Sequence, residues 1–213
     1  MKTDELIDRL SGELAPVSRA AVPATLAVGL GAGALVSFAA MWLWLGIRPD
    51  LASAAATSAY WMKFFYTLSL GCFAFWAVER LARPGASSRV QMTLLAVPLV
   101  ILLVLAFVQI DGVSRAMRMH MMMGASSNVC PWRIAILSLP VFAGAFWALG
   151  KLAPTRLIVA GTMAGLLAGA FGAWVYAFHC DESAAPFVVI WYTLGIAAIG
   201  ALGGVLGRYV LRW

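Results

Sequence analysis

Two of the few polar stretches in this chain carry sulfur and imidazole: "HMMMGASSNVCPWR", His120 to Arg133, and "YAFHCDESAAPF", Tyr176 to Phe187. A thiol pair such as Cys130 and Cys180 has three accessible states. It can be a dithiol, a disulfide, or two thiolates bridged by a soft metal ion such as Zn²⁺ or Cd²⁺. His179, beside Cys180, and His120 are candidate nitrogen ligands, and Met117, Met119, Met121, Met122 and Met123 offer softer sulfur. Four nitrogen or sulfur donors satisfy the tetrahedral preference of such ions. The plain alternatives are a permanent structural disulfide, worth at most roughly 4 kcal/mol for a loop of about 50 residues, and an amphipathic loop helix for the methionine run. Val113, Met117 and Met121 share the i+4 spacing that the helix needs. Cys72, in "SLGCFAF", reads as a small packing residue within an apolar segment.

The elements that must position these residues are hydrophobic. The chain of 213 residues is 63% hydrophobic and 11% charged, where a soluble domain carries roughly 25% charged residues. Uninterrupted apolar runs of about 20 residues match the hydrocarbon slab of a bilayer, roughly 30 Å thick. Six are legible: Val22–Leu45, Ala59–Val78, Val90–Ile110, Pro131–Leu149, Leu157–Phe178 and Ala185–Leu206. The expected fold is an all-α polytopic membrane protein, a bundle of six transmembrane helices with a short amphipathic N-terminal helix on the cytoplasmic side. Residues 1–21 form the leading segment and 22–213 the transmembrane domain. The first apolar run is longer than a signal-peptide core, and acidic residues precede it, so it reads as a retained anchor.

Short loops rich in Lys and Arg stay in the cytoplasm. With a cytoplasmic N-terminus, the inner set is Lys2, Arg9, Arg19, Arg80, Arg83, Arg89, Lys151, Arg156, Arg208 and Arg212, against Arg48, Arg115, Arg118 and Arg133 outside. Both termini are therefore expected inside, and Cys130 and Cys180 at the extracytoplasmic mouth. They flank consecutive spans whose outer ends can bring the sulfurs together. Lys63, near the outer end of the second span, is expected to snorkel outward. Trp42, Trp44, Trp61, Trp132, Trp174 and Tyr176 read as an interfacial belt. Pro131 and Pro186 suit the first turn of a helix, with Ser127 or Asn128 as cap.

Gly161, Gly165 and Gly169 in the fifth span, Gly200, Gly203, Gly204 and Gly207 in the sixth, and Gly29, Gly31 and Gly33 in the first are small residues at helical spacing. They point to close packing within the bundle, or to a homo-oligomer formed through the Gly-rich helices. The chain contains no CxxC, HExxH, GxSxG or Gly-rich phosphate loop, and no span carries a carboxylate or histidine pair at its midpoint. A catalytic role is not expected. A small six-span transporter or channel for metals is the alternative to a regulatory role, although such proteins place ionisable groups near the midplane.

The leading segment "MKTDELIDRLSGELAPVSRA" places Leu6, Ile7, Leu10, Leu14 and Val17 at i, i+3, i+4 spacing, with Asp4, Glu5, Asp8 and Glu13 on other faces. Thr3 can cap its start, and Pro16 should end it. One reading is a helix lying on the inner leaflet. That surface is anionic and favours basic polar faces, whereas this segment carries four acids against three bases. The other reading is a helix whose apolar anchors enter the groove of a basic protein partner.

The chain resembles the six-span anti-sigma factors of the NrsF type, negative regulators of an extracytoplasmic-function (ECF) sigma factor. The likeness runs over essentially the whole sequence. It includes the opening "MKTDELIDRL…APVSR", "CPWRIAILSLPV", "APTRLIVAGTMAGLLAGAFGAWVYAFHCDESAAPFVVIWYTLGI" and the closing "GRYVLRW". The resemblance implies a bacterial inner-membrane protein whose cytoplasmic N-terminus holds a sigma factor, with no direct nucleic-acid contact. Asp4, Leu6, Ile7, Leu10, Leu14, Pro16 and Val17 are the candidate partner-binding residues. It further implies that Cys130 and Cys180 sense metal or oxidative stress. No cofactor is obligatory. A transient Zn or Cd ion at Cys130 and Cys180, with His179 and His120 as candidate further ligands, is the expected metal chemistry.

Overall fold

The computed structural model describes residues 20–83 and 85–212, together with Thr3, Ile7, Gly12 and Ser18. The expectations for Asp4, Leu6, Leu10, Leu14, Pro16 and Val17 lie outside the described residues. Ile7 is helical and 56% exposed.

Among the described residues every regular element is a helix. In chain order they are α1 Ala21–Leu45, α2 Leu51–Ala55, α3 Ser58–Leu81, α4 Arg89–Ile110, α5 Arg115–Met123, α6 Cys130–Leu152, α7 Leu157–Tyr176 and α8 Ala185–Val210. Six of these, all but α2 and α5, are long and apolar enough to cross a membrane. They coincide with the six runs read from the sequence to within a few residues at each end. The last turn of α1, Met41–Leu45, and the second turn of α8, Val188–Tyr192, widen into π-helical geometry.

Because successive long helices alternate in direction, the bundle has two ends. The cysteine end gathers the α1–α2 loop, the start of α3, the end of α4, α5, the start of α6 and the segment 177–184. The opposite end carries Arg80, Arg83, Arg89, Lys151, Arg156 and Arg208. Helix α7 is the central one, with 67% of its apolar window buried against 17% for the peripheral α4. Large apolar side chains cover the outside, as on α4 at Val97, Val100, Ile101, Val104, Phe107 and Val108. Such a surface belongs against lipid rather than water.

Glycine decides where the helices approach most closely. A Cβ at Gly161 would lie 2.9 Å from Gly207 Cα, and one at Gly165 would lie 2.9 Å from Gly200 Cα. The glycine faces of α7 and α8 are therefore spent on each other. On α1, Gly29 and Gly33 meet Gly144 and Pro140 of α6, whereas Gly31 faces open space. Ser37 adds a hydrogen bond from its Oγ to Leu137 O at 2.7 Å across the same crossing.

Three local expectations fail. No side chain caps α6: its N-cap is Val129, without a side-chain hydrogen bond. Trp174 and Tyr176 do not stand in an interfacial belt with the exposed Trp42, Trp44, Trp61 and Trp132. Trp174 packs edge-on against Phe38, Phe64 and Phe178, and Tyr176 is buried. Two residues apart, they lie on roughly opposite faces of α7, and because that helix is central both faces meet the bundle, where burial of a large ring outweighs an interfacial position. Lys63 is the third, and it belongs to the site.

Candidate functional site at the cysteine end

Cys130 opens α6, and Cys180 lies on the segment joining α7 to α8. The structure brings both into one buried apolar cluster with Tyr66, Tyr176, Phe187, Val188 and Tyr192. Both are free thiols, 0% and 2% exposed. A thiol so placed behaves as a small apolar side chain until something opens the site.

The segment 177–184 is strapped from every side. Its backbone and side chains receive bonds from elements far away in sequence. Gly46 O accepts from His179 Nδ1 at 3.0 Å, and Phe178 O accepts from the Arg48 backbone N–H at 3.1 Å. Cys180 O accepts two cationic donors, Arg48 at 3.1 Å and Lys63 Nζ at 2.8 Å, which fills both of its lone pairs. Lys63 Nζ also donates to Glu182 O at 2.9 Å. The Glu182 carboxylate accepts the backbone N–H of Ala125 at 2.6 Å and of Ser126 at 3.3 Å, closing the turn between α5 and α6. Gln109 Oε1 takes the Ala185 N–H at 2.8 Å, at the start of α8.

Lys63 departs most from expectation. It is 1% exposed, with its stem running inward beneath the strap instead of snorkelling to solvent. No carboxylate lies within ion-pair distance among the described residues. The ammonium is met by the two carbonyls and stands 5.7 Å from the centre of the Tyr192 ring. Tyr192 is fully buried, and its hydroxyl has no hydrogen-bond partner among the described residues. Arg48, by contrast, has a bidentate partner in Asp50, with both contacts at 2.7 Å. That bond holds the Asp50 carboxyl below the usual carboxylate range and raises Arg48 above its ordinary value.

Of the candidate ligands, His179 sits in the site and His120 does not. Arg133, which can only donate, lies 3.3 Å from His179 Nε2, so Nε2 accepts and Nδ1 carries the proton given to Gly46 O. Both ring nitrogens are thus engaged within the protein. His120 lies on α5 and is exposed. Among the described residues no three His, Cys, Asp or Glu side chains are grouped so as to hold a metal ion. The methionine run forms the nine-residue helix α5, capped by Ser114 Oγ on Met117 N–H at 3.3 Å. Met117, Met119 and Met123 are exposed, and Met122 O accepts the Trp191 indole N–H at 2.9 Å.

Sequence reasoning found the two thiols and His179 but missed Lys63, Arg48, Glu182, Gln109 and Tyr192. Lys63 carried a usable signal, a lone charge inside an apolar run. Arg48, Glu182 and Gln109 act across 56 to 132 residues of sequence, and no local pattern announces such bonds.

The family described as negative regulator of sigma F, NrsF, matches residues 10–213. The chain is 38% identical, over the full length of both, to the anti-sigma-F factor NrsF of Caulobacter vibrioides. It is 36% identical, again over both full lengths, to the probable anti-sigma-F factor NrsF of Azospira oryzae. No solved structure matches it.

Proposed function

The chain belongs to the NrsF family of negative regulators of sigma F, and we propose on that ground that it is a membrane-bound anti-sigma factor. The observation that carries this reading is similarity to relatives bearing that name over the full length of both chains. In this reading the six long helices sit in the bacterial inner membrane with both termini in the cytoplasm. Residues 1–21 sequester a sigma factor of the ECF class. The cationic excess at the end opposite the cysteines supports that orientation. The exposed, helical Ile7 supports an apolar anchor available to a partner.

The cysteine end is the sensor in the same reading. Cys130 and Cys180 start as buried dithiols. Oxidation, or coordination of a soft ion such as Zn²⁺ or Cd²⁺, needs the thiolates. It therefore needs the strap over 177–184 to open. A stimulus shifts the population only through its differential affinity for the open and closed arrangements, and a hundredfold ratio supplies about 2.7 kcal/mol.

Reporter transcription tests the inhibitory half. Alanine at Leu6, Ile7 and Leu10 is expected to give constitutive transcription with the protein still in the membrane, while repression that remains full and inducible would refute the assignment. C130S with C180S tests the sensing half. Loss of induction is expected, and undiminished induction would refute it.

A further inference from the structure

We infer that Lys63 is a positioning residue for the two-thiol site: its ammonium holds the carbonyls of Cys180 and Glu182 so that both sulfurs stay covered. The inference rests on reading Cys130 and Cys180 as the sensing pair, to which it adds the element that keeps them closed.

The argument starts from cost. Burying an ammonium without a carboxylate is unfavourable, and a well-packed apolar side chain of the same size is often as good for the fold or better. Lys63 is such a cation, 1% exposed, with its ammonium against Cys180 and Tyr192 of the apolar cluster. Packing alone does not account for it, because methionine would fill the same volume. Methionine cannot supply donors to Cys180 O and Glu182 O, which lie 2.8 and 2.9 Å from Nζ. Those two bonds bracket Asp181 and fix the backbone that carries Cys180. Hydrogen bonds from a charged donor are about twice as strong as neutral ones. Lys63 thus spends fold stability to hold one loop.

The residue is also well placed to register the state of that loop. It lies on the second turn of α3. The far half of the same helix packs Ala74, Ala77, Val78 and Leu81 into one cluster with Leu26 of α1. Helix α1 is the span that follows the N-terminal segment.

A scaffold role and a positioning role predict opposite signs. A scaffold residue lost to methionine lowers the melting temperature and loosens the whole bundle. A positioning residue lost to methionine leaves melting unchanged or raised and loosens 177–185 alone. The test is hydrogen exchange by mass spectrometry on the full chain in lipid nanodiscs, comparing wild type, K63M and K63R, with melting temperatures measured in parallel. In K63M the peptide covering 177–185 is expected to exchange at least tenfold faster while α6 and α7 are unchanged. In K63R, which keeps charge and donors, it should stay within threefold of wild type.

Unchanged exchange in K63M would overturn the inference. So would acceleration across the bundle with a lowered melting temperature. K63R opening as far as K63M at equal stability would also overturn it, since the donors would then not matter. Exchange at this segment is independent of thiol chemistry. A failure of the sensing reading, seen as induction that survives C130S with C180S, is therefore distinguishable from a failure here.

Discussion

Gly203→Ala places one methyl group at the tightest point of the α7–α8 seam, and the structure sets what it must cost. The new Cβ would lie 3.0 Å from Gly161 C and 3.1 Å from Gly165 Cα, with the Gly161 carbonyl oxygen nearer still. Comfortable carbon contacts fall at about 3.5–4.0 Å. All three neighbours are backbone, so no rotamer change relieves the overlap, and the two helices must separate by roughly 0.5–1 Å. A gap of that size forfeits about a quarter to a half of each dispersion contact it opens. Helix association in lipid has no hydrophobic term to offset that loss. Overpacking of this kind costs about 1–3 kcal/mol. At about 2–4 °C per kcal/mol for a chain of this size, the melting temperature should fall by roughly 2–12 °C. Gly31→Ala is the matched control, because nothing lies within 4 Å of its Cβ position. There the gain in helix propensity, about 0.5–1 kcal/mol, should raise the melting temperature. The assay is thermal unfolding in detergent followed by size-exclusion fluorescence. If Gly203→Ala melted at or above wild type, as Gly31→Ala should, the seam would not be the close contact described and the packing argument would fail.

Three other expectations are simpler to test. Water-soluble maleimide should leave Cys130 and Cys180 unmodified in native membranes and modify both after SDS, counted by intact mass; rapid native labelling of either would contradict their burial. Glu182→Ala removes the acceptor of the Ala125 and Ser126 N–H groups; the turn 124–126 should become the first site of limited proteolysis, while Glu182→Gln, which keeps one acceptor oxygen, should be cut more slowly. Asp50 has a depressed pKa in the folded chain, so its bond to Arg48 contributes fully above about pH 4, the unfolded range, and is lost as pH falls through the lower folded value. Amides at the Gly46–Asp50 turn should therefore gain exchange below about pH 4 beyond the intrinsic rate, and Asp50→Asn should show that looser turn at every pH.

The six long helices were legible because each has what a helix needs to cross a bilayer, about 20 apolar residues with its backbone groups bonded internally. Hydropathy reads that demand directly, and the glycine periodicity correctly marked close packing on α7, α8 and α1. The side of the helix each glycine serves was not legible. Gly31 and Gly33 look alike in sequence, yet only Gly33 meets α6. Lys63 shows the same limit at the site. Snorkelling is the default for a lysine near a span end because solvent is the best ligand for an ammonium. The default failed because the strap over 177–184 supplies carbonyls in place of water, and that strap comes from residues 117 and 119 positions away. Trp174 and Tyr176 failed for a related reason, since position along a span predicts depth but not which face looks into the bundle.

The strap's connections determine what can move. It joins α7 to α8, the two helices locked by backbone contact along Gly161, Gly165, Gly200, Gly203 and Gly207. Those helices cannot slide past one another without reopening the seam, so 177–184 is anchored at both ends to a rigid pair. What it holds is less constrained: the α1–α2 loop through Gly46 and Arg48, α3 through Lys63, and the α5–α6 turn through Glu182. Any event that expands the Cys130–Cys180 site must therefore displace these partners before it displaces the α7–α8 pair. Of the three, only α3 is itself a long helix reaching the far end of the bundle, where it shares a buried cluster with Leu26 of α1. A mutation in that far cluster, such as Leu26→Ala, should therefore alter the strap's hydrogen exchange as well as its own surroundings, because coupling along α3 is reciprocal. A strap that exchanges as in wild type would mean that α3 does not carry displacement between the two ends.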